Sequence, residues 1–312
     1  MAGISPESGF NEPGSSAFDA EAWRREHPMD YFWAARTVME LDDPALQDAA
    51  FRAIFKVCRL HVPPKLFKYY ALDGNERMNE TKLSTLSDRK VYTAEVKDLN
   101  DPFDCRSFYY RRDAMRSFPE LEVHDWKPFD DIAAFYRVAS FTECDEGMMP
   151  MWAHYANNHR GYCVEYNMEQ AENRGLAGLM FPVQYSDRRV DLTDFYKSQI
   201  QALVEKRDRV LDEGGGTVVV EDLRMVYLPL LLVNVKHSSW SYEREHRCTI
   251  GAAGGGDPYV DAWPKAVYIG KDCNEGHRAQ LARIARKIGV PAYQMGFNDE
   301  ASGYLLGKSL VR

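Results

Sequence analysis

Between Asp43 and Leu60 the apolar residues Leu46, Ala50, Ala53, Ile54 and Val57 recur at helical spacing. Asp43 is a good N-cap and Pro44 fits the first helical position, so the pattern predicts a helix that starts there. Pro63 and Pro64 end it. Residues 20–62 therefore read as a helical extension. Residues 1–19 are small, polar and rich in Pro and Gly, and read as a disordered arm.

Beyond Pro64 the period changes. Short apolar and aromatic runs predict strands at Lys65–Leu72, Lys90–Val96, Tyr136–Glu143, Tyr162–Asn167, Phe181–Asp187, Lys265–Gly270, Val290–Phe297 and Gly303–Leu310. Helices are expected over Glu80–Arg89, from Pro150 to Gly161, over 190–216 and from Asn274 to Gly289. The apolar run Val220–Trp240 reads as a buried helix despite Pro229, and 106–136 as helix and loop. Strands dominate the middle without regular βαβ alternation, so residues 63–312 are expected to form one α+β domain.

The totals narrow the partners. A chain of 312 residues with 45% hydrophobic and 28% charged composition can bury a sizeable core. A net charge of −8 argues against broad nucleic-acid or membrane binding, while leaving room for a local basic groove. No apolar run is long enough for a bilayer, and the first residues lack the basic-then-apolar order of a signal peptide. Six scattered cysteines without C-x-x-C read as reduced thiols, hence an expected cytoplasmic setting.

Candidate chemistry concentrates in "WSYEREHR", Trp240–Arg247. On a strand, Glu243, Glu245 and Arg247 share one face, with successive carboxylates roughly 7 Å apart. Such a pair suits a reaction in which positive charge develops on a sugar: one carboxylate stabilises an oxocarbenium-like centre while the other orients or deprotonates the nucleophile. Arg247 would keep both ionised. The bland alternative is a solvated edge of ion pairs. In "MWAHYANNHRGYCVEY", Trp152, His154, Tyr155 and His159 crowd one short helix. A zinc set of Cys144, His154, His159 and Cys163 matches no standard spacing, and an aromatic helix packed on the core is the simpler reading. "LNDPFDC" reads as a turn in which Asp104 caps the next segment, and "FKYY" offers Lys68 to an anion and Tyr69 as a stacking face. The glycine runs match no phosphate-binding loop.

The order of "LFKYY", "LNDPFD", "SFTE", "MWAHYANNHRGYCVEY", "WSYEREHR" and "KAVYIG" resembles a large bacterial family of unknown function, domain of unknown function 2971, from about Pro63 to Leu310. Many relatives place Arg where this chain has Tyr70. More distantly the pattern is similar to the ADP-ribosyltransferase superfamily. In that likeness Lys68 and Tyr69 stand for the early strand motif, Ser140–Thr142 for the central one, and Glu243 with Glu245 for the late Glu-x-Glu. The resemblance implies two β-sheets around a cleft that binds NAD as substrate. Glu245 would bond the nicotinamide ribose and stabilise the cation, and Glu243 would activate the acceptor. Tyr69, Trp152 or Tyr155 would stack on a base, Lys68, Arg247 and Lys236 would neutralise the pyrophosphate, and His154 would bond a ribose hydroxyl. It implies transfer to a protein or nucleic-acid acceptor, in a toxin, effector or anti-phage setting with an inhibitory partner. A non-catalytic nucleotide- or nucleic-acid-binding protein is the alternative.

Overall fold

The computed structural model describes residues 19–127, 135–216, 222–252 and 256–311. All but the last residue of the expected polar arm lies outside them. Three helices come first: α1 (Ala20–Glu26), α2 (Tyr31–Met39) and α3 (Pro44–Leu60). Asp19, Asp30 and Asp43 cap them, each carboxylate accepting first-turn amides. β1 (Lys65–Tyr70), α4 (Glu76–Ser87), β2 (Lys90–Tyr92), β3 (Ala94–Glu95), β4 (Phe108–Tyr109) and α5 (Arg112–Met115) follow. The middle of the chain forms β5 (Tyr136–Thr142), α6 (Met149–Tyr155), β6 (Tyr162–Asn167), α7 (Arg174–Gly178), β7 (Met180–Pro182), β8 (Gln184–Ser186) and β9 (Val190–Asp191). Then come α8 (Thr193–Asp212), α9 (Arg224–Leu232), β10 (Val235–His237), β11 (Glu245–Gly251) and β12 (Tyr259–Asp261). β13 (Pro264–Ile269), α10 (Glu275–Ile288), β14 (Ala292–Phe297) and β15 (Leu306–Leu310) complete the fold.

The α+β class expected from the pattern holds, but the two-sheet arrangement is replaced. Among the described residues, nine strands join one mixed sheet in the order β15-β14-β13-β6-β1-β5-β11-β7, with β3 also on β5. The remaining strands form two-stranded pairs: β10 with β8, β12 with β2, and β4 with β9. The large sheet is not evenly knit. β1 and β6 are registered over Lys65–Tyr70, and β11 and β5 over Glu245–Gly251, whereas β1 meets β5 only at Phe67 opposite Thr142. The sheet therefore opens between β1 and β5. The Lys68 ammonium spans the opening and donates to the Ser140 carbonyl at 2.9 Å.

Two large cores flank the sheet. One gathers Leu83 and Leu86 of α4, Leu281 and Ile284 of α10, and strand residues such as Val164 and Val267. The other packs the N-terminal helices on α8 and α9: Tyr31, Ala34, Ala35 and Val38 are fully buried beside Leu228, Leu231 and Leu232. Burying an aliphatic side chain contributes about 1.5–3 kcal/mol, so this contact ties residues 20–62 firmly to the rest. The expected long helix over 220–240 is shortened to α9. Its carbonyls are taken over at the end by Asn234, whose amide donates to Leu230 O at 2.7 Å, and the chain then extends into β10. Among the described residues no helix is long and apolar enough to cross a membrane.

Candidate functional site at the opening of the sheet

A cavity of about 90 Å³ occupies the gap between β1 and β5. Phe67, Lys68 and Tyr69 of β1 line it, with Ser140, Phe141 and Thr142 of β5, Met151 and Tyr155 of α6, and Leu99, Asn100 and Asp104 of the loop after β3. Lys236, Glu243 and Glu245 complete the wall.

Strand alternation places Glu245 and Arg247 on one face, as the sequence implies, but it does not place Glu243. β11 begins only at Glu245. Glu243 closes a 3-10 turn, Ser238–Glu243, and Arg244 takes a left-handed conformation (φ 44°) that turns the chain into the strand. Glu243 thus reaches the side of Glu245 by a turn. His246, on the opposite face, points to the N-terminal helices and meets the His61 carbonyl through Nε2 at 3.1 Å.

The charged groups form a buried chain. Lys236 Nζ donates to Glu243 Oε2 at 2.8 Å and to Glu245 Oε2 at 3.1 Å, and lies 3.8 Å from Asp104 Oδ2. Arg247, with no exposed surface, donates from Nε to Glu245 Oε1 at 2.9 Å and from Nη2 to Glu245 Oε2 at 3.2 Å. It also bonds Asp104 and the Val233 carbonyl. The Tyr155 hydroxyl donates to Glu243 Oε1, and the backbone amide of Glu245 donates to the Tyr185 hydroxyl at 2.8 Å. Buried charges persist only when so paired.

This environment drives the two glutamates apart. Burial alone would raise the Glu245 carboxyl, but Arg247 and Lys236, with hydrogen bonds from Arg247 and Ser140, outweigh it and hold it well below the ordinary range. Glu243 is raised instead: burial dominates, Lys236 opposes it, and the Glu245 charge adds to the rise. Opposite shifts in neighbouring carboxyls are how one site separates an ionised group from a proton carrier. Burial lowers Lys68 to about 8, with the Glu245 charge opposing. For Lys236, burial pulls down, and Glu245, Asp104 and Glu243 outweigh both it and Arg247, so its ammonium is held above its ordinary value.

The residues singled out from the sequence fall into two groups. Glu243, Glu245, Lys68, Tyr69, Tyr155 and Lys236 all line the cavity. Trp152, Arg247 and His154 do not. Trp152 is fully buried, edge-on to Tyr69 and stacked on His159, and its indole donates to the Glu146 carbonyl at 2.8 Å; it supports the wall and offers no face to a ligand. Arg247 is spent on carboxylates beneath the cavity. His154 is exposed beside Tyr242. Tyr69 is mostly buried and donates to the Asp145 carbonyl, and Tyr155 acts on Glu243 through its hydroxyl. Tyr70 stacks on Tyr162, with ring centroids 4.7 Å apart. Sequence reasoning missed Asp104 and Tyr185. A buried arginine beside a single glutamate needs further acceptors, and "LNDPFD" held the acid that serves; nothing in the sequence pointed to Tyr185. The alternative zinc set is not assembled: among the described residues no group of three or more His, Cys, Asp or Glu is placed to hold a metal ion.

No curated protein and no solved structure matches the chain. A family model described as "Protein of unknown function (DUF2971)" matches residues 151–248, the span that carries Tyr155, Lys236, Glu243, Glu245 and Arg247. Over that span the chain matches the DUF2971 family.

Proposed function

We propose that the cavity is the site of a mono-ADP-ribosyltransferase that takes NAD as substrate and passes ADP-ribose to a protein or nucleic-acid acceptor. One observation supports this most: Lys68 of β1, Ser140 of β5 and Glu245 of β11, on neighbouring strands, border one cavity together with Glu243. The cavity of about 90 Å³ has room for a ring- or sugar-sized group. In this reading the nicotinamide-ribose end enters, and the adenosine half lies across the mouth. The bond between the ribose C1′ and the nicotinamide nitrogen breaks, and its electron pair leaves with nicotinamide. Glu245, ionised, and the field of the carboxylate cluster stabilise the resulting cation. An acceptor oxygen or nitrogen bonds C1′ and gives its proton to Glu243, which still has open lone pairs. Lys68, the cavity cation that makes no ion pair among the described residues, meets the pyrophosphate.

A second reading rests on a different observation. The oxygens of Glu245 already accept from Arg247, Lys236 and Ser140, and a fully satisfied network also suits a site that binds without reacting. Nicotinamide release from NAD, read by chromatography, separates the two. A transferase releases nicotinamide at least slowly. Glu243→Gln and Glu245→Gln should each cut the rate by about 10²-fold or more while circular dichroism stays native. Calorimetric binding of NAD without release would favour the binding protein, and absence of both removes either nucleotide reading.

A further inference from the structure

Close to the cavity the chain gathers cations against its own balance of −8. Arg106, Arg188 and Arg189 are exposed and lie in the segments that lead into the parallel pair β4 and β9. Arg189 Nε donates to the Arg106 carbonyl at 2.7 Å, and Nη2 donates to the Phe108 carbonyl. The guanidinium then sits 5.7 Å from the ring centre of Tyr109. Burial first, and the Arg106 charge second, hold Arg189 below its ordinary value, so the two cations repel each other. Among the described residues none of the three arginines forms an ion pair. The nearby acids are engaged locally: Asp191 accepts the Thr193 amide at 2.8 Å, and Asp187 accepts from Ser238 and lies 3.5 Å from His237. Tyr109, beside Arg189, is 39% exposed, and Phe103, whose carbonyl accepts the Arg106 amide, is 63% exposed.

Both arms of this patch are anchored at the carboxylate cluster. Asp104, bonded to Arg247, precedes Arg106 by two residues, and Tyr185, bonded to the Glu245 amide, precedes Arg188 by three. Such lengths of chain span at most about 7 and 11 Å. Clustered cations interleaved with exposed rings suit a strand whose phosphates are reachable and whose bases are free to stack, a combination that a duplex does not offer.

We infer that this patch docks single-stranded nucleic acid, with phosphates on Arg106, Arg188 and Arg189 and bases on Tyr109 and Phe103, and that such a strand is the acceptor. The acceptor half rests on the transferase proposal above.

Fluorescence anisotropy with labelled oligothymidylate and oligouridylate, without NAD, tests the docking. The variant Arg106→Ala/Arg188→Ala spares Arg189, whose donors hold the β4 backbone. The wild type should bind, and more weakly as salt rises. The double variant should bind at least about tenfold more weakly, with a salt slope shallower by about 1.4, two phosphate contacts at about 0.7 each. Tyr109→Ala should weaken binding without changing the slope, and Arg283→Ala on the distant α10 should change nothing. No binding by the wild type, equal binding by the double variant, or equal affinity for a duplex overturns the inference. Nicotinamide release without strand binding removes the nucleic-acid acceptor and leaves the transferase. Strand binding without nicotinamide release keeps the docking surface and removes the acceptor role along with the transferase.

Discussion

Glu243 and Glu245 are two residues apart and meet the same ammonium, yet their surroundings push them in opposite directions. That difference sets an expected pH profile. If Glu243 takes the acceptor proton, the rate should fall on the acid side through a titration above 4.5, its ordinary value. If the charged form of Lys68 meets the pyrophosphate, the rate should also fall on the alkaline side, through about 8. Nicotinamide release against pH should be bell-shaped, and Lys68→Met should flatten the alkaline limb; a flat profile in the wild type would remove both roles. The signs for stability differ. Glu245, depressed in the fold, stabilises above 4.5 and loses that contribution as the pH falls below it. Lys68, also depressed, costs stability below about 8, and that cost fades as the pH climbs towards 10.5. At this scale the sequence made the Glu245–Arg247 face legible, because alternation is fixed by the pleat. It could not show Glu243 arriving through a left-handed Arg244, since a 3-10 turn before a strand has no period of its own.

The helix starts were readable because a cap is local chemistry: Asp43 followed by Pro44 says where α3 begins with no knowledge of the rest. The ends of α9 and β10 were not, because the same apolar run serves first a helix and then a strand, and only Asn234 marks the change. Pairing between strands was least legible of all. The meeting of β1 and β5 at Phe67 and Thr142 alone is a property of two distant segments. It leads to a measurable expectation. In hydrogen exchange, amides of β1 and β5 that face the opening should exchange faster than those bonded within the β1–β6 and β5–β11 ladders. Lys68→Met, which removes the contact to Ser140, should widen that difference. Uniform protection across β1 and β5 would mean the sheet is closed in solution.

Across the whole molecule, the first helices behave as part of the core. Tyr31 donates its hydroxyl to the Pro182 carbonyl at 2.8 Å, and Arg59 lies 4.8 Å from the Phe181 ring centre and donates to the Ala177 carbonyl at 2.6 Å. A chain beginning at Pro63 would leave Phe181, Leu228, Leu231 and Leu232 without their cover. Its thermal transition, followed by circular dichroism, should be lost or shifted down by well over 10 °C, on the scale of several kcal/mol for a chain of this size. An unshifted transition would make those helices an appendage.

The hand-hold between Lys68 and Ser140 has one more consequence. The bond that clips the two halves of the sheet together is made by the very ammonium that a phosphate-bearing ligand would court. An incoming pyrophosphate that draws Lys68 away from Ser140 would unfasten the clip as it arrives, so the guest itself would supply the key to a roomier chamber.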